Sequence, residues 1–467
     1  MSLPTRRFSF LLLLAAIVLA ACNPTVTLLG PDQKPGPTVQ RRPLPSPAAR
    51  TPVPTPTRAH NLTVSPETLK GVEVLAWHGW DGVSASLFEQ MAGEFNLSNQ
   101  WGLKVRVVGH QNLNLLAAAV EKSLAGPEQP DIVIALPEQI LAWQTQVVDL
   151  DPYMLQPGIG FSPNDLPPAF GAQSLLEGVR YGLPAARTGY FIFYNTSFAS
   201  DLGFSSAPRT PQDFREQACA ANAFWKRDQD PTNDGFGGLA LDVNSDWQAP
   251  FSWLAGGGGQ LLSAGEMHFN TPENLAALEY VAKLREDDCA WLPDTLSNYE
   301  HLATRHALFI TGSLDAIADQ VSAFSVAASP DKWTLLPFPG QKPGFVAYGP
   351  DYAVLKTTDA RQMAAWLFVR WMLEPQNQVR WSRGTGLLPV TLPAIDQLNA
   401  DGSVPPQWKS ALELIPQAQT YPLVIHWSLA NKLLADGFSA YFRNYPNIPL
   451  ADILDTMDTT FQEVIKK

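Results

Sequence analysis

The sequence predicts an α/β protein with more than one lobe, and three observations support this prediction. The segment from Gly71 to His110 reads as strand, turn, helix and strand, because its apolar residues alternate, then recur at helical spacing, then alternate again. Further helix and strand patterns follow it, with a short buried strand at residues 131–135. The chain has 467 residues, of which 45% are hydrophobic and 16% charged, so it can bury large cores. Strands that alternate with helices in this way form parallel sheets.

Composition narrows the class of partner. The formal net charge is -12, which argues against nucleic acid, because phosphate recognition needs a concentrated basic surface. Aromatic residues make up 10% of the chain and include 14 Trp, most of which we expect in ordinary core and surface positions. The others are available to stack on a flat apolar face such as that of a sugar ring.

The amino-terminal residues have the pattern of an export signal. Arg6 and Arg7 precede the apolar run Phe8–Ala20, which is short for a membrane span and typical of a secretory signal. The next residues, Ala-Cys, complete a Leu-Ala-Ala-Cys sequence that matches the lipobox of bacterial lipoproteins. We therefore expect residues 1–21 to be a lipoprotein signal peptide, and a lipidated Cys22 to anchor the protein, outside the cytoplasm, to the cell membrane. The alternative is a plain signal followed by an unrelated cysteine.

Residues 22–66 are predicted to form a tether. The segment is rich in Pro, Thr and Arg and has no hydrophobic periodicity, as in RRPLPSPAARTPVPTPTR. Pro-rich segments extend by roughly 3.1 Å per residue, so this one would hold the globular part on the order of 100 Å from the bilayer.

The turn that follows the first strand is predicted to border a ligand site. In an open parallel sheet the crevice lies at the carboxyl ends of the strands, where His78, Trp80 and Asp81 are placed by the pattern. Asp81 is also suited to cap the following helix. For His78, a structural role in the core is the alternative.

The cysteines predict one disulfide. If Cys22 carries lipid, Cys219 and Cys289 remain as an isolated pair, and such a pair usually oxidises outside the cytoplasm. Two buried free thiols are the alternative.

No metal site and no cofactor is predicted. His301 and His306 are five residues apart, which does not place them on one helical face. The acidic turn at residues 228–235 has Leu241 where a calcium loop needs its bidentate Glu. The glycine run at residues 256–259 is not followed by Gly-Lys-Ser/Thr, so it is not a phosphate loop.

Four motifs follow one another along residues 72–390. They are Trp-His-x-Trp after the first strand, Glu-Phe-Asn at the end of its helix, a Leu-Asp-Pro-Tyr turn and the segment Gly-Thr-Gly-Leu-Leu-Pro-Val. This order resembles the carbohydrate-type extracellular solute-binding proteins, family 1, of bacterial ABC importers. The resemblance implies a two-lobed periplasmic-binding-protein-like fold of type II, with several crossing segments beside a cleft. It implies lobe 1 at residues 67–186 and 306–345, and lobe 2 at residues 187–305 and 346–467.

The resemblance implies a binding protein rather than an enzyme. A monomer would capture a sugar or oligosaccharide by hinge closure and deliver it to the permease subunits of an ABC importer, without making or breaking a bond. A surface lipoprotein enzyme that acts on glycans through two carboxylates is one alternative. A sensory or adhesive lipoprotein with the same fold is another.

The resemblance assigns the ligand site to regions of the chain rather than to single side chains. These are the ends of the first and third strands, the glycine run, and three crossings expected near residues 179–195, 306–313 and 335–349. The candidate ligand-binding residues are His78, Trp80, Asp81, Asp131, Glu138, Arg187, Tyr190, Trp247, Trp253, Gly257, Gly258, Gly312, Ser313 and Tyr348. Acidic groups would accept hydrogen bonds from sugar hydroxyls, and Trp or Tyr rings would cover the apolar side of the sugar.

Structural roles remain the alternative for several of these candidates. Asp131 is also explained as a turn or capping residue, and Trp253 as a core residue. For Arg187, selection of an anionic ligand and an ion pair at the surface or hinge are both open.

Overall fold

Two β-sheets, each covered by helices, form the body of the protein. The structure is a computed structural model that describes residues 64–124, 126–227, 230–244, 246–293 and 298–466. The predicted signal peptide, Cys22 and almost all of the predicted tether lie outside the described residues.

The strands and helices are numbered in chain order. Across the described residues the strands are β1 (Glu73–His78), β2 (Lys104–Gly109), β3 (Ile132–Ala135), β4 (Leu175–Leu176), β5 (Val179–Arg180), β6 (Leu183–Pro184), β7 (Thr188–Asn195), β8 (Gly237–Ala240), β9 (Leu262–Ser263), β10 (Glu266–Met267), β11 (Ala290–Trp291), β12 (Ala307–Ser313), β13 (Trp333–Leu336), β14 (Phe345–Tyr348), β15 (Asp351–Val354) and β16 (Ala418–Gln419). The helices are α1 (Pro66–Leu69), α2 (Gly82–Ser98), α3 (Leu113–Ser123), α4 (Pro137–Ala142), α5 (Asp151–Met154), α6 (Pro168–Ala172), α7 (Thr196–Asp201), α8 (Pro211–Trp225), α9 (Gln248–Gly257), α10 (Pro272–Glu286), α11 (Tyr299–Ala303), α12 (Ile317–Val326), α13 (Asp359–Met372), α14 (Pro375–Thr385), α15 (Leu392–Ala400), α16 (Pro406–Leu414), α17 (Trp427–Asn444) and α18 (Leu450–Ile465).

The first sheet has the strand order β2-β1-β3-β15-β6 within the described part of the chain. β1 runs parallel to both β2 and β3, so the strand-helix-strand unit predicted for residues 71–110 is confirmed. Helix α2 buries Phe88, Met91 and Phe95 against one face of the sheet, together with α13 and α14. Helices α3 and α4 cover the other face. We call this sheet with α1–α6, α13 and α14 lobe 1.

The second sheet has the order β11-β8-β12-β7-β14-β16, with β13 also paired to β7. Strand β7 is buried on both faces, because Phe191 and Phe193 enter one core while Ile192 and Tyr194 enter another. A strand covered on both sides is expected to be hydrophobic throughout, as this one is. Helices α8–α10, α17 and α18 pack on one face, and α16 packs on the other. We call this sheet with α7–α12 and α16–α18 lobe 2.

The boundaries predicted for the lobes are wrong in their second halves. Residues 306–345 contribute β12 and β13 to the second sheet, and β15, α13 and α14 return to lobe 1. The crossing expected at residues 306–313 is therefore absent, since β12 lies between β8 and β7 inside lobe 2. An apolar strand ending in Gly and Ser does not reveal which sheet it joins, and this caused the error.

Within the described residues, three passages of the chain connect the lobes. The first runs from β6 into β7, and the second from β14 into β15, as expected for the first and third crossings. The third leaves α14 and leads through α15 to α16, which packs against β13. The backbone of Leu388 in this passage donates a hydrogen bond to the carbonyl of Arg187 in the first, at 2.8 Å.

Lobe 2 contains a disulfide. Cys219 on α8 and Cys289 before β11, the expected pair, are joined and close a sequence separation of 70 residues. Among the described residues there is no helix that is both long enough and apolar enough to cross a membrane.

Candidate functional site

The carboxyl end of β3 in lobe 1 and that of β12 in lobe 2 lie at the boundary between the lobes. Glu138, just after β3, is hydrogen-bonded to Tyr421 of lobe 2. Asp315, just after β12, shares a cavity wall with Arg383 of lobe 1. We call this boundary the cleft.

Four aromatic residues of lobe 2, Trp247, Tyr348, Tyr421 and Trp427, form an aromatic cluster at the cleft. The ring of Trp247 lies 5.6 Å from Tyr348, 5.2 Å from Tyr421 and 5.2 Å from Trp427, measured between centroids. Tyr421 and Trp427 are stacked at 4.9 Å. Trp247 precedes α9 and Tyr348 ends β14, so the cluster draws on separate parts of lobe 2.

Tyr348 and Ser313 lie together among carboxylates. Burial and the nearby carboxylates of Asp315 and Asp246 raise the pKa of the Tyr348 hydroxyl, while a hydrogen bond with Ser313 lowers it. Asp315 and Asp246 are exposed and Tyr348 is half-buried. This part of the cleft therefore offers an aromatic ring beside hydrogen-bond acceptors.

Glu138 is the main polar group on the lobe 1 side of the cleft. It is buried at the start of α4, and its Oε2 accepts a hydrogen bond of 2.8 Å from the Tyr421 hydroxyl. Burial raises the pKa of Glu138, and repulsion by Asp351 adds to this, while hydrogen bonds from the backbone and from Tyr421 act in the opposite direction. The pKa of Tyr421 is raised by its own burial and by Glu138.

Arg187 is committed to the passages between the lobes. Its guanidinium pairs with Asp351 at 2.5 Å, and both side chains are 0% exposed. The same guanidinium donates hydrogen bonds to the carbonyls of Gly349 and Pro350, and Ser174 donates to Asp351. The structure thus supports the ion-pair alternative for Arg187. It does not support selection of an anionic ligand by this residue.

A cavity of about 450 Å³ lies between the lobes, next to Ser313. Its volume falls in the range of small-molecule sites. The hydroxyl of Ser382 on its wall has no hydrogen-bond partner, although Ser382 is only 1% exposed. The lining residues are Leu314, Asp315, Ile317, Ala318, Ser382, Arg383, Thr385, Gly386, Ser403, Val404, Pro405 and Trp408.

Trp80 and Asp81 lie at the lobe 1 edge of this region. Trp80 is half-buried, with its ring 4.7 Å from that of Trp381, the neighbour of Ser382. Asp81 is exposed and occupies the N-cap position of α2, but its side chain makes no capping hydrogen bond, which corrects the expected cap.

Two candidates of lobe 1 are structural rather than part of the cleft. His78 is buried against Phe88, its Nδ1 accepts a hydrogen bond of 3.1 Å from the Trp80 amide, and burial lowers its pKa to about 4. Asp131 precedes β3 and therefore lies at the amino end of the sheet, away from the cleft. Its carboxylate accepts from the Leu75 amide at 2.8 Å and from Arg361 at 2.6 Å.

The glycine run ends α9, and Trp253 lies just past the middle of this helix. This helix spans ten residues from Gln248 to Gly257, so its end is about 15 Å from Trp247 at a rise of about 1.5 Å per residue. Trp253 is buried against Phe338 at 4.9 Å between ring centroids. The absent side chain of Gly257 permits close packing on Ala277, since a Cβ there would lie 2.5 Å from the alanine Cβ.

Gly258 ends α9 with a left-handed backbone, at a φ of 95°, which glycine adopts without strain. Gly340 packs against Gly256, because a Cβ added to Gly340 would lie only 2.0 Å from the Gly256 carbonyl oxygen. The glycine run thus allows close packing between backbone segments of lobe 2.

Gly312 and Tyr190 face the interior of lobe 2. A Cβ at Gly312 would stand 3.1 Å from the ring of Phe193, so glycine makes room for that ring. Tyr190 is buried, and its hydroxyl lies 3.1 Å from the Thr311 hydroxyl and donates to Asp242 at 3.4 Å. Tyr190 therefore contacts, through Asp242, the segment that follows β8.

The cleft thus contains Trp80, Asp81, Glu138, Trp247, Ser313 and Tyr348 of the candidate residues. Tyr421 and Trp427 were missed, because they follow the last recognised motif by more than thirty residues in the printed sequence. The signal available was a pair of large aromatics, one directly before Pro422 and the other at the start of an amphipathic helix. Within the described ranges no group of three or more His, Cys, Asp or Glu is arranged to hold a metal ion. Asp228 and Gln229 of the acidic turn lie outside those ranges.

Known proteins share this architecture. The crystal structure of the cyclic α-maltosyl-1,6-maltose binding protein from Arthrobacter globiformis is 20% identical and has a TM-score of 0.69, covering 85% of this chain and 99% of that one. The sugar-binding protein MalE from Xanthomonas citri is 16% identical with a TM-score of 0.72, covering 85% and 98%. UgpB from Mycobacterium tuberculosis, in complex with glycerophosphocholine, is 17% identical with a TM-score of 0.63, covering 84% and 98%.

These structural matches establish the fold, which is the two-lobed α/β fold of these binding proteins. No curated protein matches the sequence. The sequence model of the family described as bacterial extracellular solute-binding protein matches residues 90–402, which is more than half of the chain. The chain therefore belongs to the bacterial extracellular solute-binding proteins, which bind solutes outside the cytoplasm and are not enzymes.

Proposed function

We propose that the protein is the substrate-binding lipoprotein of an ABC importer, and that it captures a sugar or oligosaccharide and delivers it to the permease. The aromatic cluster beside carboxylates at the cleft is the observation that carries this proposal. Trp and Tyr rings match the apolar faces of sugar rings, and carboxylates accept the hydrogen bonds of sugar hydroxyls. Proteins of the same fold from Arthrobacter globiformis and Xanthomonas citri are, by their names, a cyclic α-maltosyl-1,6-maltose binding protein and a sugar-binding protein.

Capture would proceed by closure of the lobes around the solute. Contacts from Glu138 and Trp80 on one side, and from Trp247 and Tyr348 on the other, are made together only when the lobes approach. A solute that binds both sides therefore shifts the population toward the closed arrangement. No covalent step is involved, and the protein acts as a monomer.

Anchoring is the second part of the proposal. The lipobox cysteine, Cys22, would carry the lipid, and the Pro-rich tether would let the body reach the permease. Mass spectrometry of the protein from bacterial membranes should show a diacylglyceryl-modified amino-terminal Cys22. If the chain is instead cleaved at another position and Cys22 carries no lipid, the proposed anchor is disproved.

The solute is tested by thermal unfolding of the purified protein with a panel of maltooligosaccharides, other oligosaccharides and glycerophosphocholine. A solute at a hundred times its dissociation constant stabilises the folded state by about 2.7 kcal/mol, which raises the melting temperature measurably. We expect a sugar to produce this shift. A shift with glycerophosphocholine alone would mean that the solute is a phosphodiester rather than a sugar. If no compound of the panel shifts the melting temperature, the proposal is contradicted.

Two tryptophans associated with helix α9 provide matched variants for this test. Trp247→Phe changes the aromatic cluster, and we expect at least a tenfold weaker affinity for the solute found. Trp253→Phe alters a buried ring further along the same helix, and we expect the affinity to stay within twofold. Equal losses in both variants would remove the cluster from the binding site.

A sensory or adhesive role is distinguished by transport. If the protein serves an importer, deletion of its gene stops uptake of the solute that it binds. Unchanged uptake with retained binding would favour the sensory or adhesive function.

A further inference from the structure

A hydrogen bond between the Tyr421 hydroxyl and the Glu138 carboxylate joins the lobes across the cleft. We propose that this contact is a latch that holds the lobes together before a solute binds, and that a solute group can reach the Glu138 carboxylate only by displacing the Tyr421 hydroxyl. The distance is 2.8 Å, and the two residues are 283 positions apart in the chain. The latch does not depend on which solute the protein binds.

Both partners are fixed before they meet. Tyr421 is held by its stack on Trp427 and by the edge of Trp247. Glu138 lies in the first turn of α4, which begins at Pro137, and proline fixes the backbone there. Because the Tyr421 ring is held by its neighbours and the backbone of Glu138 is fixed in a helix, less conformational entropy is lost when the bond forms.

Burial makes the contact necessary to each partner. Glu138 is 7% and Tyr421 is 4% exposed, so water cannot readily replace the lost partner if the lobes stay together. A buried carboxylate without a donor is costly, and hydrogen bonds to charged groups are among the stronger ones in proteins. The bond therefore breaks when the lobes part or when another donor takes its place.

The charged neighbours favour a donor at this point. The carboxylate of Asp351 repels that of Glu138, and Arg187 is already paired with Asp351. The Tyr421 hydroxyl supplies a donor from the opposite lobe, and its hydrogen bond lowers the pKa of Glu138 against the effect of burial. A sugar hydroxyl has the same donor chemistry, so it can substitute for the tyrosine hydroxyl at Glu138.

The latch is tested by the distance between the lobes in the full-length protein without added solute. Spin labels are attached at Glu89→Cys on α2 and Glu463→Cys on α18, both exposed positions. Cys219 and Cys289 are joined to each other and do not react with the label, and Cys22 is replaced by Ser so that no third thiol takes up the label. Pulsed electron-spin resonance then gives the distribution of distances between α2 of lobe 1 and α18 of lobe 2.

We expect Tyr421→Phe to raise the fraction of molecules with separated lobes about tenfold, which corresponds to about 1.4 kcal/mol. The matched control is Tyr194→Phe. The Tyr194 hydroxyl is also buried and donates to Gln217 at 2.8 Å, but both residues belong to lobe 2. This control should leave the distance distribution unchanged.

A second variant, Glu138→Leu, removes the acceptor from the other side. We expect it to separate the lobes as Tyr421→Phe does, and the double variant to add nothing, since both remove one bond. A wild-type distribution in either single variant would overturn the latch. The same separation in Tyr194→Phe would also overturn it, by showing a general loss of stability. None of these outcomes bears on the solute proposed above.

Discussion

The two sides of the cleft are built differently. Lobe 2 presents four aromatic rings that pack on one another, from the loop before α9, from β14 and from the segment leading into α17. Lobe 1 presents a buried carboxylate, an exposed carboxylate and one half-buried tryptophan. The difference indicates that lobe 2 provides most of the apolar contact area, while lobe 1 provides directional hydrogen bonds. It also implies that substitutions at the cleft edge will unfold lobe 2 more readily than lobe 1.

The largest effect is expected from the aromatic rings. Trp427 is 1% exposed, so Trp427→Ala leaves a cavity and should lower the free energy of unfolding by about 3–5 kcal/mol. Trp80→Ala removes a half-buried ring and should cost less than half as much. Urea unfolding of both variants measures the contrast, and equal losses would refute the difference between the two sides.

The disulfide gives lobe 2 a covalent tie, and no second disulfide is present in the described part of the chain. The double variant Cys219→Ala/Cys289→Ala should lower the free energy of unfolding by about 2–4 kcal/mol, because the open chain gains entropy when unfolded. Adding a reductant to the wild-type protein under mildly destabilising conditions should have the same effect. Hydrogen exchange should rise in α8 and β11 and remain unchanged in α2. A uniform rise through both lobes would contradict the local role.

Lobe 1 contains a buried histidine that is expected to make it lose stability in acid. Burial lowers the pKa of His78 from 6.5 to about 4, so the neutral form is stabilised in the folded state. Its contribution is full above pH 6.5 and is lost as the pH falls through about 4, to a total of about 3 kcal/mol. The free energy of unfolding should therefore fall less between pH 7 and pH 5 in His78→Phe than in the wild type. An identical fall in both proteins would show that other groups govern the acid response.

The smallest effect separates two helix starts. Thr210 caps α8 in lobe 2, where its hydroxyl accepts from the Asp213 amide at 3.1 Å, so Thr210→Ala should cost about 1 kcal/mol. Asp81→Ala at the start of α2 should cost less than about 0.5 kcal/mol, because its side chain makes no capping bond. Thermal unfolding of the two variants tests this, and a larger loss for Asp81→Ala would reverse the interpretation.

Sequence patterns predicted the local structure well, because it depends on neighbours along the chain. The alternation in Val72–Ala76 and the spacing of Phe88, Met91 and Phe95 were sufficient for β1 and α2. The partner of each strand was harder to predict. β12 has the same pattern in either lobe, and only its pairing with β7 and β8 decides the matter.

The candidate site was predicted in part for the same reason. Residues at or shortly after the end of a strand, such as Ser313 and Glu138, reached the cleft because the end of a strand fixes their place. Asp131 did not, since it precedes its strand and lies at the opposite end of the sheet. The pairing of Glu138 with Tyr421 joins residues 283 positions apart, and no local pattern encodes such a contact.

The side chain of Arg187 has a consequence for how the halves of the molecule can move. Arg187 belongs to the β6–β7 passage. Its guanidinium donates hydrogen bonds to the carbonyls of Gly349 and Pro350 and to the carboxylate of Asp351 in the β14–β15 passage. Because these hydrogen bonds join the two passages at one point, the passages must bend together there. A change in the angle between the lobes must therefore move both passages together at this point.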